Sequence, residues 1–408
     1  MTKQIQMKKQ IIILLLPLLF AGCNIYETPS TYSFSVTVNY PDEFNSGGPA
    51  AGKEVLIREL QTGREFTENT NENGTVTFNV RGGNYDIIVS FSEKHKIDFD
   101  GYPVKKTVLF NGAINAATIL ENGNSFTIQT EYSIQNEGFV IKELYTSGSR
   151  TPEGKSYGAA KFVEIYNNSD KVLYSDGLCF GVVHSTTTYE PTPWVDENGN
   201  LLPRIPLWSF VAIVPGTGEE HPIQPGESFV IALSGLNHRD DPNGNPNSID
   251  LSKAAWEFYV EDGKYIDVPE VPNILMQRIT KGTAMIFDVR GQVSILFRLP
   301  SDNLQEIFTN PDNYMVQPGG SFNCFMVPYG WVIDGVDNLR LDDRGAFKRL
   351  PNSIDVGYIQ HKGGYQRVSI KRKVKEVIDG RTVYQDTNNS TNDFLTNQEP
   401  TPGVIAKN

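Results

Sequence analysis

The sequence predicts a mainly β protein made of two antiparallel β-sandwiches, with one short helix inserted in the second. Short runs of alternating apolar and polar residues recur along the chain, and turns rich in glycine and asparagine separate them. In the run 75–80, for example, Val76, Phe78 and Val80 share one face of an extended strand. Strands of this length at regular spacing are typical of a sandwich that buries one face of each sheet.

The N-terminus has the order of a secretory signal. Residues 1–10 carry three lysines and no acid, residues 11–20 form an apolar run, and Ala21-Gly22-Cys23 follows. The apolar run is too short to cross a bilayer core of about 30 Å. The segment resembles a lipobox, which implies cleavage before Cys23, lipid on that cysteine and anchoring at the outer membrane of a bacterium. The alternative is an ordinary cleaved signal followed by an incidental cysteine.

These features divide the chain into a signal peptide at 1–22, a tether at 23–32, a first sandwich at 33–134 and a second at 135–408. Whether the periplasmic or the outer face carries the protein stays open. The chain has 36 basic and 48 acidic residues, and loss of the signal removes three lysines. So acidic a protein lacks the basic surface that a nucleic-acid partner requires.

The first sandwich carries a family resemblance. A glycine turn at Gly74 precedes one strand, and the run Gly83–Tyr85 opens the next. In this pattern the segment resembles the transthyretin-like domains related to the carboxypeptidase regulatory domain. The resemblance implies a structural or spacer module and not a catalytic one.

The second sandwich carries a resemblance of its own, on Glu164, Tyr166, Asn167, Pro225-Gly226-Glu227, Phe394 and Thr401-Pro402-Gly403. In these residues it resembles a lamin-tail-like domain, which implies an immunoglobulin-type β-sandwich. As a whole, the chain is similar to an uncharacterised family of envelope lipoproteins found beside TonB-dependent outer-membrane receptors. That similarity implies an accessory of nutrient uptake. Two alternatives remain: a carbohydrate-binding or adhesive surface module, and an envelope hydrolase.

The sequence gives little support to an enzyme. Its one Gly-x-Ser-x-Gly match, at 154–158, is followed by a strand-like run where a nucleophile elbow requires a helix. It contains no His-Glu-x-x-His, and its five histidines lie without metal-ligand spacing. We therefore expect a binding protein and no cofactor apart from a candidate calcium ion. Apolar residues at helical spacing, together with a capping Ser248 or Asp250, predict the inserted helix within 246–262.

Calcium is the metal that the sequence favours. Asp241, Asn243, Asn245 and Asp250 supply hard oxygen ligands at short intervals. The same residue types also make ordinary turns, which is the alternative interpretation. Cys179 and Cys324 could form a disulfide in an oxidising envelope, or each could be a small buried apolar residue.

The long loop at 184–208 is the predicted ligand site. It carries Tyr189, Trp194 and Trp208 among several prolines, and rigid aromatic loops suit a glycan or a protein groove. The alternative is a hairpin folded over the sandwich with both tryptophans buried. The basic run 371–375 predicts an edge strand leading to a hairpin turn at Asp379-Gly380. A site for lipid headgroups or an acidic partner is the alternative there.

Overall fold

A computed structural model of the chain shows a mainly β architecture. Cys23 and the signal peptide lie outside the residues that it describes. No helix in the described part of the chain is long and apolar enough to span a membrane. The described residues are 30–99, 102–134, 138–240, 244–285, 287–301, 303–340 and 346–406.

The first eight strands form one sandwich. Its smaller sheet has the order β4-β1-β7 and its larger sheet the order β3-β2-β5-β6-β8. Strand bounds are β1 Thr31–Asn39, β2 Glu54–Glu59, β3 Glu65–Asn69, β4 Thr75–Arg81, β5 Gly83–Phe99, β6 Tyr102–Ile119, β7 Asn124–Gln129 and β8 Glu131–Ile134. A short 3-10 helix at Asn45–Gly47 lies between β1 and β2.

The predicted alternation is confirmed in this sandwich. Val76, Phe78 and Val80 are buried in its core, whereas the intervening residues of β4 are exposed or half-buried. Gly74 makes the turn before β4 with a φ of +69°, and a Cβ there would lie 2.6 Å from the carbonyl oxygen of Val38. Only glycine fits this turn without strain.

The remaining strands build a second, larger sandwich. Their bounds are β9 Phe139–Tyr145, β10 Ser149–Arg150, β11 Ser156–Tyr157, β12 Phe162–Asn167, β13 Leu173–Tyr174, β14 Leu178–Val183, β15 Arg204–Ile213, β16 Pro222–Ile223, β17 Ser228–Ala232, β18 Trp256–Glu257, β19 Leu275–Arg278, β20 Ser294–Arg298, β21 Tyr314–Val316, β22 Asn323–Pro328, β23 Val332–Val336, β24 Ser369–Arg372, β25 Val374–Ile378, β26 Arg381–Tyr384 and β27 Phe394–Gln398. Helices are short: α1 Leu304–Thr309, α2 Ser390–Asp393, and 3-10 turns at Pro311–Asn313 and Tyr329–Trp331.

Two sheets face each other in this second sandwich. One has six strands in the order β18-β17-β12-β9-β24-β27; the other has seven, in the order β21-β22-β15-β14-β20-β23 with β19 beside β15. The core between them is apolar and draws on both sheets, with Ile141 and Ile231 from the first and Phe180 and Leu296 from the second. The predicted fold class, mainly β with antiparallel sheets, is confirmed.

Polar contacts join the two sandwiches. The Tyr358 hydroxyl donates to the Asp86 carboxylate at 2.5 Å, and both residues are buried. The backbone N–H of Ser353 donates to Glu131 Oε2 at 3.0 Å, so β8, the edge strand of the first sandwich, abuts the second. These contacts fix the position of β8 beside the cleft described below.

The helix predicted within 246–262 is wrong. Residues in this stretch instead form turns and the short strand β18, which pairs in parallel with β17. Trp256 is buried against the apolar core, and Glu257 accepts hydrogen bonds from the backbone N–H groups of Gly235 and Val268. Tertiary packing and these hydrogen bonds stabilise an extended chain where the apolar spacing alone favoured a helix.

The disulfide expectation is also corrected, because Cys179 and Cys324 are free, buried thiols. Cys179 on β14 pairs with Ile213 of β15, whereas Cys324 on β22 lies near the other end of that strand, where Leu207 pairs with Phe325. Five residues along a strand span about 17 Å. A disulfide requires Cα atoms within about 7 Å.

The predicted hairpin at Asp379-Gly380 is present. Strands β25 and β26 pair across it, and both turn residues have positive φ. The basic run before it does not form an exposed patch. Arg372 is buried, and Lys371 is half-buried, with its ammonium group donating to Thr401. This arrangement does not support the headgroup alternative.

Arg372 is the centre of a buried ion cluster. Its Nη2 lies 2.5 Å from Asp334 Oδ2 and its Nη1 lies 3.1 Å from Asp386 Oδ1, with Asp393 Oδ2 at 3.8 Å. The guanidinium also donates to the carbonyl oxygen of Ile141 at 2.9 Å. Burial opposes its charge, but the carboxylates around it raise the pKa of Arg372. Since Arg372 is on β24 and Asp334 on β23, the cluster joins the two sheets.

Replacing Arg372 should therefore destabilise the fold. We expect Arg372→Met to lower the free energy of unfolding by about 3–5 kcal/mol, because it leaves buried carboxylates without a counter-charge. The measurement is chemical denaturation at neutral pH. Arg290→Met is the matched control: Arg290 is half-exposed and pairs with Asp288, so we expect a loss of about 1 kcal/mol or less. Equal losses in the two variants would contradict the role of the cluster.

Candidate ligand-binding cleft

A buried arginine, Arg349, holds the first part of the loop at 184–208 against the second sandwich. Arg349 Nε donates to the carbonyl oxygen of Ser185 at 3.3 Å, and its Nη2 donates to those of Thr187 and Glu190 at 2.9 and 2.8 Å. Burial lowers the pKa of Arg349 to about 10, so the guanidinium stays charged at neutral pH. Arg349 thus gives hydrogen-bond donors to three backbone carbonyl groups of an irregular segment.

The outer part of the loop is a tight hairpin. Val195 pairs with Leu201, and Asp196 Oδ1 accepts the backbone N–H groups of Asn198 and Asn200, each at 2.9 Å. These hydrogen bonds occupy the carboxylate in an ordinary turn. The hairpin projects Val195 and Leu201 toward the first sandwich.

The three aromatic residues predicted as ligand contacts lie in different surroundings. Trp194 is buried, and its Nε1–H donates to Nδ1 of His184 at 2.9 Å. Trp208 is half-buried, with the His184 ring centre 5.5 Å from its own. Tyr189 is half-buried beneath the guanidinium of Arg340, 4.5 Å from its ring centre. The structure places Trp194 in the folded-over position that was the alternative interpretation.

A cleft of about 740 Å³ lies between the two sandwiches. The loop residues 191–203 form one wall, the segment 346–352 forms another, and the first sandwich contributes Asn115 and Glu131. This volume falls within the usual range for small-molecule sites, which often form between domains. The lining residues are Asn115, Glu131, Pro191, Thr192, Val195, Gly199, Asn200, Leu201, Pro203, Tyr329, Ala346, Phe347, Lys348, Leu350, Pro351 and Asn352.

The cleft combines an apolar surface with a few polar groups. Tyr329 donates its hydroxyl proton to the carbonyl oxygen of Leu202. Burial, with the nearby charge of Glu131, raises the pKa of Tyr329, so the ring stays neutral. Lys348 Nζ donates to Asp337 Oδ2 at 2.9 Å and to the carbonyl oxygen of Gly357 at 2.6 Å. The cleft therefore presents little free positive charge to a ligand.

Sequence reasoning found the loop but missed most of the cleft. Glu131, Tyr329 and Phe347 come from three distant parts of the chain, and no local pattern connects them. The prolines at 191, 203 and 351 are the signal for the cleft that the sequence offers. They mark rigid segments but do not indicate that these segments meet.

The candidate calcium residues are only partly described. Asp241 and Asn243 lie outside the described residues. Asn245 is buried and donates its amide to Ser149 Oγ at 2.9 Å, while Asp250 accepts the hydroxyl and backbone N–H of Ser252. Both side chains stabilise local structure, as the turn interpretation expects.

The described histidines are dispersed. Nδ1 of His238 lies 2.8 Å from the Tyr157 hydroxyl, and Nδ1 of His361 accepts the backbone N–H of Gly363. His184 is paired with Trp194, as above. In the part of the chain that the structure describes, these buried rings have separate structural roles, and they do not form a catalytic group.

A comparison with models of protein families matches part of the chain. Residues 224–401 match the model of the DUF4876 family. DUF4876 is described as a protein of unknown function. The matched segment includes Tyr329, Phe347 and Arg349, and it leaves the first sandwich and the loop at 184–208 outside. A comparison with curated protein sequences found no match.

Solved structures support the fold. The crystal structure of a DUF4876 family protein from Bacteroides thetaiotaomicron is 24% identical, with a TM-score of 0.56, and the alignment covers 91% of this chain and 96% of that one. A candidate carbohydrate-binding protein from Bacteroides uniformis is 15% identical over 41% of this chain and 66% of its own, with a TM-score of 0.15. The first similarity shows a shared fold; the second is too low to indicate one.

Burial of His184 should make the free energy of unfolding depend on pH. Burial lowers the pKa of His184 to about 4, and that of His361 likewise, from an unfolded value of about 6.5. Between these values the unfolded chain binds more protons, so stability is complete above pH 6.5 and falls as the pH drops toward 4. Denaturation at several pH values should show this fall.

His184→Gln tests the assignment of that pH dependence. The variant should lose less stability than the wild type between pH 6.5 and 4, with the contribution of His361 remaining. An unchanged pH profile would show that His184 is accessible to protons in the folded state.

Proposed function

We propose that this protein is a lipid-anchored binding protein of the bacterial outer membrane, and that its cleft between the two sandwiches binds a carbohydrate chain. The observation that carries the proposal is the composition of the cleft: aromatic and proline surfaces beside uncharged amides. The lipobox-like segment at Cys23 supports the location.

Carbohydrates need both kinds of surface. The apolar face of a sugar ring packs on an aromatic side chain, and its hydroxyls need hydrogen-bonding partners. Tyr329 and Phe347 offer the rings, while Asn115 and Asn352 offer amides at the rim. The prolines hold the walls in place, which reduces the entropy lost when a ligand binds.

The resemblance of the whole chain gives this site a setting. We infer that the first sandwich, at 33–134, is a transthyretin-like spacer and that the second, at 135–408, is an expanded lamin-tail-like domain. In this arrangement the protein serves as an accessory to a TonB-dependent receptor and presents its ligand to that receptor. The lipid anchor and the family resemblance support this role.

Changes in the cleft should weaken glycan binding. We expect Phe347→Ala and Asn352→Ala each to reduce affinity roughly tenfold or more for a glycan selected on an array, because each removes a contact at a buried interface. The measurement is calorimetric titration of the selected glycan.

Phe322→Ala is the matched control for those variants. Phe322 is an exposed aromatic residue outside the cleft lining, so its loss should leave affinity unchanged. Wild-type affinity in Phe347→Ala and Asn352→Ala would place the ligand elsewhere. An array on which no glycan binds would remove the carbohydrate assignment.

The uptake role predicts a partner in the membrane. A pull-down from detergent-solubilised outer membranes, with the tag at the C-terminus and Cys23 intact, should recover a β-barrel receptor in stoichiometric amount. Cys23→Ser should recover none, because the unlipidated chain is not held at the membrane. If the lipidated protein recovers only lipid, the uptake role is wrong and the surface-module alternative gains support.

A further inference from the structure

Three potential metal ligands meet in the second sandwich, at a place where the sequence predicted no site. Asp176 immediately precedes the turn into β14, while Glu220 and His221 precede β16. One ligand atom from each of the three lies within 4.8 Å of the other two. The 43 residues between Asp176 and Glu220 explain why sequence spacing did not reveal the group.

Asp176 supplies a buried anionic ligand. Its Oδ2 accepts the backbone N–H of His221 at 2.9 Å, and its Oδ1 accepts that of Glu220 at 3.1 Å. These two hydrogen bonds fix the carboxylate in position.

His221 supplies a ring nitrogen at metal-ligand distance from that carboxylate. Its Nδ1 lies 3.2 Å from Asp176 Oδ1, and its ring packs edge-on against Trp256. Two ligands at about 2.0–2.1 Å from a tetrahedral ion lie roughly 3.3 Å apart. The observed separation therefore fits a shared ion without movement of either side chain.

Glu220 brings a second carboxylate to the same point. Its Oε1 accepts the hydroxyl of Thr217 at 2.8 Å. Two carboxylates so close repel each other unless a proton or a cation lies between them. The backbone at Gly216 lies against both carboxylates: a Cβ there would lie 1.8 Å from Asp176 Oδ1 and 2.5 Å from Glu220 Oε2. The turn therefore requires glycine beside the two carboxylates.

A cavity of about 380 Å³ adjoins Asp176. Asp176, Gly216 and Gly218 line it, together with Arg298 and Ser301. The side chain of Glu220 is exposed and that of His221 is half-buried, so solvent reaches the group from the side of these two residues. Three protein ligands with one open position are the arrangement of zinc sites that bind an exchangeable fourth ligand.

We propose that Asp176, Glu220 and His221 form a binding site for a divalent transition metal of the zinc type, with a fourth position open to solvent. The imidazole nitrogen of His221 favours such a metal over calcium and magnesium, which prefer oxygen ligands alone. The proposal is independent of the glycan cleft, whose lining shares none of the three residues.

The test is calorimetric titration of the full mature chain in detergent with Zn²⁺, and with Co²⁺ followed by its visible absorption. The wild type should bind one ion, and Co²⁺ should show the strong absorption of tetrahedral coordination. Glu220→Gln and His221→Gln should each bind roughly tenfold more weakly or worse, since each removes a ligand. Both side chains are accessible enough for these changes to leave the fold intact.

His95→Gln is the matched control. His95 Nε2 lies 3.0 Å from Glu93 Oε2, and among the described residues no second carboxylate completes a three-ligand group there. The variant should bind Zn²⁺ as the wild type does. Absence of Zn²⁺ binding in the wild type would overturn the proposal. So would full binding in both Glu220→Gln and His221→Gln, or displacement of Zn²⁺ by an equal concentration of Ca²⁺.

Discussion

The ion cluster around Arg372 is the constraint on which the second sandwich depends. Its guanidinium holds Asp334 from the opposite sheet and Asp386 from the segment after the C-terminal hairpin. Each carboxylate is buried, so each needs the cation to remain charged inside the protein. The cluster consequently fixes where the two sheets meet and where the C-terminal strands lie. The cleft walls are positioned on this framework.

Arg349 uses the same physical means for a different purpose. It donates to three backbone carbonyl groups of an irregular loop, where Arg372 mainly pairs with carboxylates. Arginine suits both tasks because its planar group offers five donors and remains charged when buried. The part of the loop before β15, residues 185–203, therefore has a defined shape although it belongs to none of the named strands. That shape makes it a wall of the cleft and keeps Trp194 away from solvent.

The sequence predicted features that depend on neighbouring residues. Alternation along β4 and the Asp379-Gly380 turn follow from local backbone geometry, and both are present. The stretch 246–262 shows where such reasoning fails, because burial of Trp256 and hydrogen bonds to Glu257 decide its conformation. The sequence did not predict the cleft or the Asp176 group for a related reason. The residues of each come together only through sheet pairing and loop packing, which no local pattern encodes.

The hydrogen bond between Tyr358 and Asp86 has a consequence for the protein as a whole. It lies in the joint between the sandwiches, where both groups are shielded from water. Separating the two halves would break this hydrogen bond and bring water to both groups. Each half therefore contributes a polar partner to the other. Neither sandwich is a freely interchangeable part: a transplanted one would carry an unmatched polar surface to its new neighbour.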